Sequence, residues 1–194
     1  MTSDLEDLYQ ALEDCQAADQ VASACVIYEE ILTTEDEEDL SLTLLYVTDL
    51  IDLGNLAQAE ATLLRVEDQC LGDLKAQWLA SYASLNHHRG HFSEAERQYR
   101  LAFEHCRENE NGDYLILAAA AASHCGELTK AEFLIREALK SPCDHQEAYA
   151  HLGAYLAGQR RFTEARACFE KLLEMSPQNE FAIEWLKDLE QITP

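Results

Sequence analysis

The side chains best suited to bind a metal ion in this sequence are histidines and cysteines near predicted turns between helices. A zinc site would need three or four of them to converge at about 2 Å from one ion. Their spacing does not bring such a set together, so we expect no bound metal and no cofactor. The residues concerned are His87, His88, His91, His105, Cys106, His124 and Cys125.

An acidic run at Glu35–Asp39 connects two predicted helical segments. It could hold a cation or a segment rich in Lys and Arg. The D-x-D-x-D-G pattern of a calcium loop is absent, however. A solvated connecting loop is therefore the simpler interpretation.

Catalytic motifs are missing from the sequence. There is no G-x-S-x-G motif and no glycine-rich phosphate loop. Carboxylates are abundant, but none is paired with an apolar pocket that would mark it as a proton donor. We expect a protein that is not an enzyme.

The charge of the chain disfavours two classes of partner. The net charge is −23, and the first 64 residues hold 16 acidic residues but no Lys or Arg. Phosphate contacts need basic side chains, so nucleic acids and anionic membranes are disfavoured. A basic protein segment would be attracted to the N-terminal part, although the charge can equally serve solubility alone.

The composition favours a cytoplasmic location. The seven cysteines form an odd set without a C-x-x-C motif, which is typical of reduced thiols. No apolar run of about 18 residues is present. The first residues are acidic, whereas a signal peptide begins with positive charge.

A small residue recurs along the chain at steps of 34 to 36 residues. An apolar side chain stands three residues before each one, as helical periodicity requires. The spacing predicts a series of helical hairpins in which the small residue lies where two helices cross. The recurring residues are Ala24, Ala59, Ala95, Ala131 and Ala165.

Predicted turn and helix-cap residues recur at fixed positions relative to these alanines. Five residues before the recurring alanines stand Asp19, Gly54, Gly90, Gly126 and Arg160, where glycine suits a turn with positive φ. Hydroxyl residues follow at Ser93, Thr129 and Thr163, and Glu96 and Glu132 complete two predicted capping boxes.

The stretch 144–179 shows the pattern most clearly. Tyr149, Leu152, Gly153 and Leu156 form one apolar stripe, and Phe162, Ala165, Phe169 and Leu172 form a second that ends before Pro177. This order resembles a tetratricopeptide repeat, a helix–turn–helix unit of about 34 residues.

The resemblance implies an all-α fold, a right-handed α-α superhelix of about five helical hairpins. The hairpins would occupy residues 5–39, 40–75, 76–111, 112–145 and 146–179 of a single domain, 1–194. Residues 180–192 carry apolar side chains on one face and charged ones on the other, which predicts a C-terminal capping helix.

In the resembled family, the first helices of the hairpins line a concave groove in which peptides or helices bind. Small and apolar residues dominate the corresponding positions here. Alternatively, Leu44 and Ile116 are ordinary core residues and the register is displaced by one. The predicted groove residues are Tyr9, Leu44, Thr48, Ala80, Ser84, His87, Ile116, Ala120, Ala150 and Ala154.

One subclass of the family clamps the C-terminal carboxylate of heat-shock chaperones with Lys, Asn and Arg side chains. Both lysines are missing here, and an acid replaces an asparagine, so an acidic peptide terminus should be repelled. The corresponding positions are Tyr9, Glu13, Leu45, Gln77 and Ser81.

The sequence therefore predicts a non-catalytic protein-binding module, chaperone-like or adaptor-like. Its partner would be a protein or peptide segment that is apolar or amphipathic, and the charge favours a basic one. The alternative is a structural assembly subunit, including a homodimer, that uses its convex face or C-terminal helix. In that case Trp185 would be an interface residue rather than part of a cap.

Overall fold

The computed structural model describes residues 3–18, 20–34, 39–106 and 111–192, and within them it contains eleven α-helices and no strand. In order these are α1 (Ser3–Ala17), α2 (Val21–Thr34), α3 (Leu40–Asp52), α4 (Leu56–Val66), α5 (Asp73–His88), α6 (Phe92–His105), α7 (Asp113–His124), α8 (Leu128–Ala138), α9 (His145–Gly158), α10 (Phe162–Met175) and α11 (Glu180–Ile192).

The helices form five consecutive hairpins that stack, followed by α11. Within each hairpin the first helix packs against the second, and each second helix also packs against the first helix of the next hairpin. The first helices of neighbouring hairpins also contact each other, as α3 does with α5 and α7 with α9. This stacking confirms the predicted all-α superhelix.

The recurring alanines lie where the helices cross. All five are at most 1% exposed. The helices of the last hairpin cross closely, because a Cβ on Gly153 would lie 2.6 Å from the ring of Phe169. A small residue is needed there because backbone and ring leave no space for a side chain.

Glycines end the first helices, as predicted. Gly54, Gly90 and Gly126 have φ values of 78°, 77° and 78°, and Arg160 adopts the same conformation at 63°. In the last hairpin Arg160 N–H donates to the Ala157 carbonyl and Arg161 N–H to that of Leu156. This is the hydrogen-bond pattern of a Schellman turn. Position 19 lies outside the described residues.

The predicted capping boxes are wrong. The turn is so short that α6 and α8 begin at Phe92 and Leu128, and neither helix has a side-chain cap. Ser93 and Thr129 are therefore already inside the first helical turn. The same holds for the third hydroxyl, since α10 begins at Phe162.

The two glutamates of the supposed boxes instead join successive hairpins. Glu96 is 5% exposed and accepts a hydrogen bond from Lys130 Nζ at 2.8 Å. Glu132, at 8% exposed, accepts one from Arg161 Nη1 at 2.6 Å. A buried carboxylate needs a cation to offset its lost hydration, and here the following hairpin supplies it.

Helix α11 closes the C-terminal end of the stack. Ala182 and Leu189 are buried, and Trp185 stacks on Phe169 with ring centroids 5.4 Å apart. No helix in the described part of the chain is long and apolar enough to cross a membrane.

Candidate functional site

A depression of about 380 Å³ lies between the first helices α3, α5 and α7. Leucines and an alanine supply its apolar surface, and hydroxyl and amide groups supply its polar surface. None of its lining residues is charged. They are Ser41, Leu44, Leu45, Thr48, Gln77, Ala80, Ser81 and Tyr114.

Most of the predicted groove residues keep some accessible surface. Thr48 is exposed and, with Leu44 and Ala80, lines the depression. The remaining half-buried residues lie on the first helices of the other hairpins or farther along α5. They are Tyr9, Ser84, His87, Ala120, Ala150 and Ala154.

Two of the predicted groove residues are buried. Leu44 is 3% exposed and Ile116 is 1% exposed, so Ile116 belongs to the core and is not an accessible anchor. The accessible leucines are their neighbours in sequence, Leu45 at 52% and Leu117 at 39%. A first helix packs against its partner helix and against both adjacent hairpins. It therefore buries more of its surface than the sequence pattern of a single hairpin indicates.

The groove prediction missed five lining residues: Leu45, Gln77, Ser81, Ser41 and Tyr114. The first three had a usable signal, because they are the positions that correspond to the carboxylate clamp of the resembled family. Tyr114 reaches the depression from α7. Burial, followed by the nearby Cys106 and Asp113, raises the pKa of its hydroxyl.

The helices beside the depression are held together by a polar network. The Tyr46 hydroxyl donates to Glu29, and Gln58 Nε2 donates to Glu29 Oε1 at 2.9 Å and to the Tyr46 oxygen at 2.7 Å. These bonds lower the pKa of Glu29. The network joins α2, α3 and α4 and fixes the first two hairpins relative to each other.

Helix α3 also carries acidic groups that do not line the depression. Burial raises the pKa of Asp49, and the charge of Asp52 raises it further. Asp39 Oδ1 accepts a hydrogen bond from Leu42 N–H at 3.0 Å and caps the helix. The rest of the acidic run before it, at 35–38, lies outside the described residues.

Three of the histidines singled out above lie close together. The ring of His87 is 5.1 Å from that of His124 and 5.0 Å from Phe92, and it lies 6.3 Å from His88. Burial lowers the pKa of His87, and the two neighbouring histidines lower it further. Within the described residues, no three His, Cys, Asp or Glu side chains are arranged to hold a metal ion.

Two of the buried cysteines, Cys25 and Cys168, are poor nucleophiles. All seven are free thiols. Burial raises the pKa of Cys25 to about 11 and that of Cys168 to about 11, so neither forms a thiolate at neutral pH. Their role is to fill space between helices.

Comparison with known proteins identifies the repeat. The family model for the tetratricopeptide repeat matches residues 146–179. Among curated proteins no sequence matches this chain.

Solved structures share the fold over most of the chain. A tetratricopeptide repeat protein from Parabacteroides merdae ATCC 43184 is 18% identical, with a TM-score of 0.72 over 95% of this chain and 70% of its own. A thermophilic repeat protein from Thermus thermophilus is 15% identical, with a TM-score of 0.69 over 95% of this chain and 98% of its own.

A smaller structure, the first repeat domain of Spaghetti (RPAP3) bound to the HSP90 peptide SRMEEVD, is also similar. It is 22% identical, with a TM-score of 0.57 over 63% of this chain and 96% of its own. The family model thus identifies one tetratricopeptide repeat at 146–179, and the solved structures show that the chain shares the fold of tetratricopeptide repeat proteins over most of its length.

Proposed function

We propose that this protein is a non-catalytic interaction module that captures an apolar or amphipathic, basic segment of a partner in its concave groove. The depression between α3, α5 and α7 carries this proposal. It offers an apolar surface beside hydrogen-bonding groups, which is the composition expected of a peptide anchor site.

Leu45 is the main apolar contact in this proposal. Its side chain is 52% exposed, while Leu44 beneath it is buried and Ala80 opposite is small. A partner side chain that enters the depression would remove Leu45 from water, and burial of apolar area provides about 25 cal/mol per Å². Ser41 and Gln77 can bond to the backbone of the segment.

The preference for a basic segment follows from charge. The repeat domain of Spaghetti binds an acidic peptide, SRMEEVD. Here the clamp positions carry Leu45, Gln77 and Ser81, and no Lys or Arg precedes residue 65. A cationic segment would be attracted to this end, and the attraction would weaken with salt.

Fluorescence anisotropy with a labelled synthetic helix of Leu and Lys tests the proposal. Leu45→Asp should weaken binding at least tenfold, about 1.4 kcal/mol. Val26→Asp is the matched control, because Val26 is 63% exposed on α2 and outside the depression. It should change affinity less than about twofold, roughly 0.4 kcal/mol.

Two further comparisons complete the experiment. Raising NaCl from about 50 to about 300 mM should weaken binding severalfold, because it shortens the screening length. A helix with Glu in place of Lys should not bind. Equal affinity for both helices, or equal loss in the two variants, would refute the proposed groove.

The alternative, an assembly subunit that uses the C-terminal helix, has less support. Trp185 packs inward on Phe169, and the outer face of α11 carries Glu184, Lys187 and Asp188. Sedimentation of the purified chain at several concentrations tests this alternative. A cytoplasmic location remains a prediction, which the free thiols favour.

A further inference from the structure

A second cleft lies on the outer side of the stack, between the second helices α4 and α6, with α5 as its floor. Its volume is about 490 Å³. On α6 it extends from Glu94 to His105, a length of about 16 Å or three helical turns. The cleft is therefore long enough for a short helix.

Aromatic and apolar side chains form the middle of this cleft. Trp78 and Tyr82 stack with ring centroids 5.2 Å apart and nearly parallel planes, and Leu64 and Leu101 flank them. Trp78 Nε1 donates to the Leu63 carbonyl at 2.8 Å, which fixes the ring. Leu64 is 55% exposed, so its apolar surface is available to a partner.

The aromatic pair is specific to the third hairpin. One hairpin later the corresponding residues are Tyr114 and Ala118, and in the last hairpin they are Ala148 and Leu152. The repeat pattern therefore does not require two stacked rings here. Trp78 is 6% exposed and Tyr82 is half-buried, so Tyr82 presents the accessible part of the pair. Aromatic residues surrounded by polar groups are typical of the centres of protein interfaces.

Charges of both signs lie at the two ends of the cleft. At one end Lys75 Nζ is 3.7 Å from Glu67 Oε1 and 3.9 Å from the centroid of the Trp78 ring. At the other end Arg97 is paired with Glu94. Two cations and two anions balance, whereas the chain as a whole carries −23.

We propose that the α4–α6 cleft is a second docking surface, independent of the concave groove, that binds an amphipathic partner helix of about three turns with no net charge. The apolar stripe of that helix covers Leu64, Tyr82 and Leu101. Its acidic and basic side chains meet the oppositely charged groups at the two ends. Because the cleft is locally neutral, salt has little effect on this binding.

The test uses the full chain and a synthetic helix of about three turns, with Leu on one face and equal numbers of Glu and Lys on the other. In a Trp185→Phe background, Trp78 is the only tryptophan, so its emission reports occupancy of the cleft. Anisotropy of the labelled helix with the unmodified chain measures the same binding independently. Circular dichroism establishes that each variant is folded.

Leu64→Asp should weaken binding at least tenfold, whereas the matched control Phe133→Asp should change it less than about twofold. Phe133 is 61% exposed on the second helix α8 and lies outside the cleft. Leu45→Asp, in the concave groove, should also have little effect. An increase from about 50 to about 300 mM NaCl should change affinity less than about threefold.

Three results would overturn the second docking surface. They are no binding of the neutral helix, equal loss in Leu64→Asp and Phe133→Asp, and loss in Leu45→Asp but not in Leu64→Asp. None of them bears on the basic helix proposed for the concave groove, which is measured with a different peptide. The two proposals can therefore fail separately.

Discussion

Substitution of Gly153 by alanine tests how closely the helices of the last hairpin cross. The added Cβ would lie 2.6 Å from two ring carbons of Phe169. That ring is fully buried and stacks on Trp185, so it cannot move aside without disturbing the capping helix. The substitution should therefore loosen the C-terminal end of the stack.

The expected cost follows from two opposing effects. Overpacking of a close-packed core costs about 1–3 kcal/mol, and the fixed ring favours the upper half of that range. Alanine recovers about 1 kcal/mol of helix propensity relative to glycine. The net loss is about 1–2 kcal/mol, which lowers the melting temperature by about 2–8 °C in a chain of this length.

Urea unfolding followed by circular dichroism and by tryptophan emission measures this loss. Gly158→Ala is the control in the same helix, because its Cβ would meet only the end of the Leu128 side chain at 3.0 Å. The control should be neutral or slightly stabilising. Unchanged or higher stability of Gly153→Ala would show that the crossing is not as close as described.

Three further predictions concern the turns, the ion pairs and the histidines. Arg160→Gly should stabilise the chain by about 0.5–1 kcal/mol in thermal unfolding, because glycine relieves the positive φ of 63°. Lys130→Ala should cost about 1–3 kcal/mol in urea unfolding, because it removes the closest cation from the buried Glu96; Lys140→Ala, at an exposed pair, should cost less than about 0.5 kcal/mol. Burial and neighbouring histidines lower the pKa of His87 in the folded chain. As the pH falls through about 6.5, the His87 imidazole is therefore protonated in the unfolded chain before it is protonated in the folded one. The free energy of unfolding should therefore decrease below that pH. Urea unfolding at about pH 7.5 and 5.5 should show a smaller decrease for His87→Gln than for the unmodified chain.

Some predictions from the sequence depend only on local chemistry, and these agree with the structure. The recurring alanines indicate helix crossings because a close crossing excludes larger side chains, and all five are buried. The turn glycines indicate positive φ because a Cβ disfavours it, and Gly54, Gly90 and Gly126 adopt it. The close crossing and the positive φ both involve residues of a single hairpin, so they can be predicted from the sequence of that hairpin alone.

Other features depend on contacts between hairpins. Glu96 and Glu132 fit a local capping pattern, yet each is paired with a cation more than 25 residues away in sequence. Ile116 fits the groove register of its own hairpin, but adjacent helices bury it. The single-hairpin pattern contains no information about these distant neighbours.

The sequence by itself determined that this chain folds into stacked helical hairpins. The regular spacing of small residues and turn glycines is sufficient for this, because it sets the helix crossing and the turn within each hairpin. Only the tertiary structure decided which leucine is accessible in the groove and that Trp78 and Tyr82 border a cleft on the outer side. Those outcomes depend on how much surface each helix loses to the hairpins on both sides of it. That loss is set by the stacking of hairpins, which residue spacing within one hairpin does not specify.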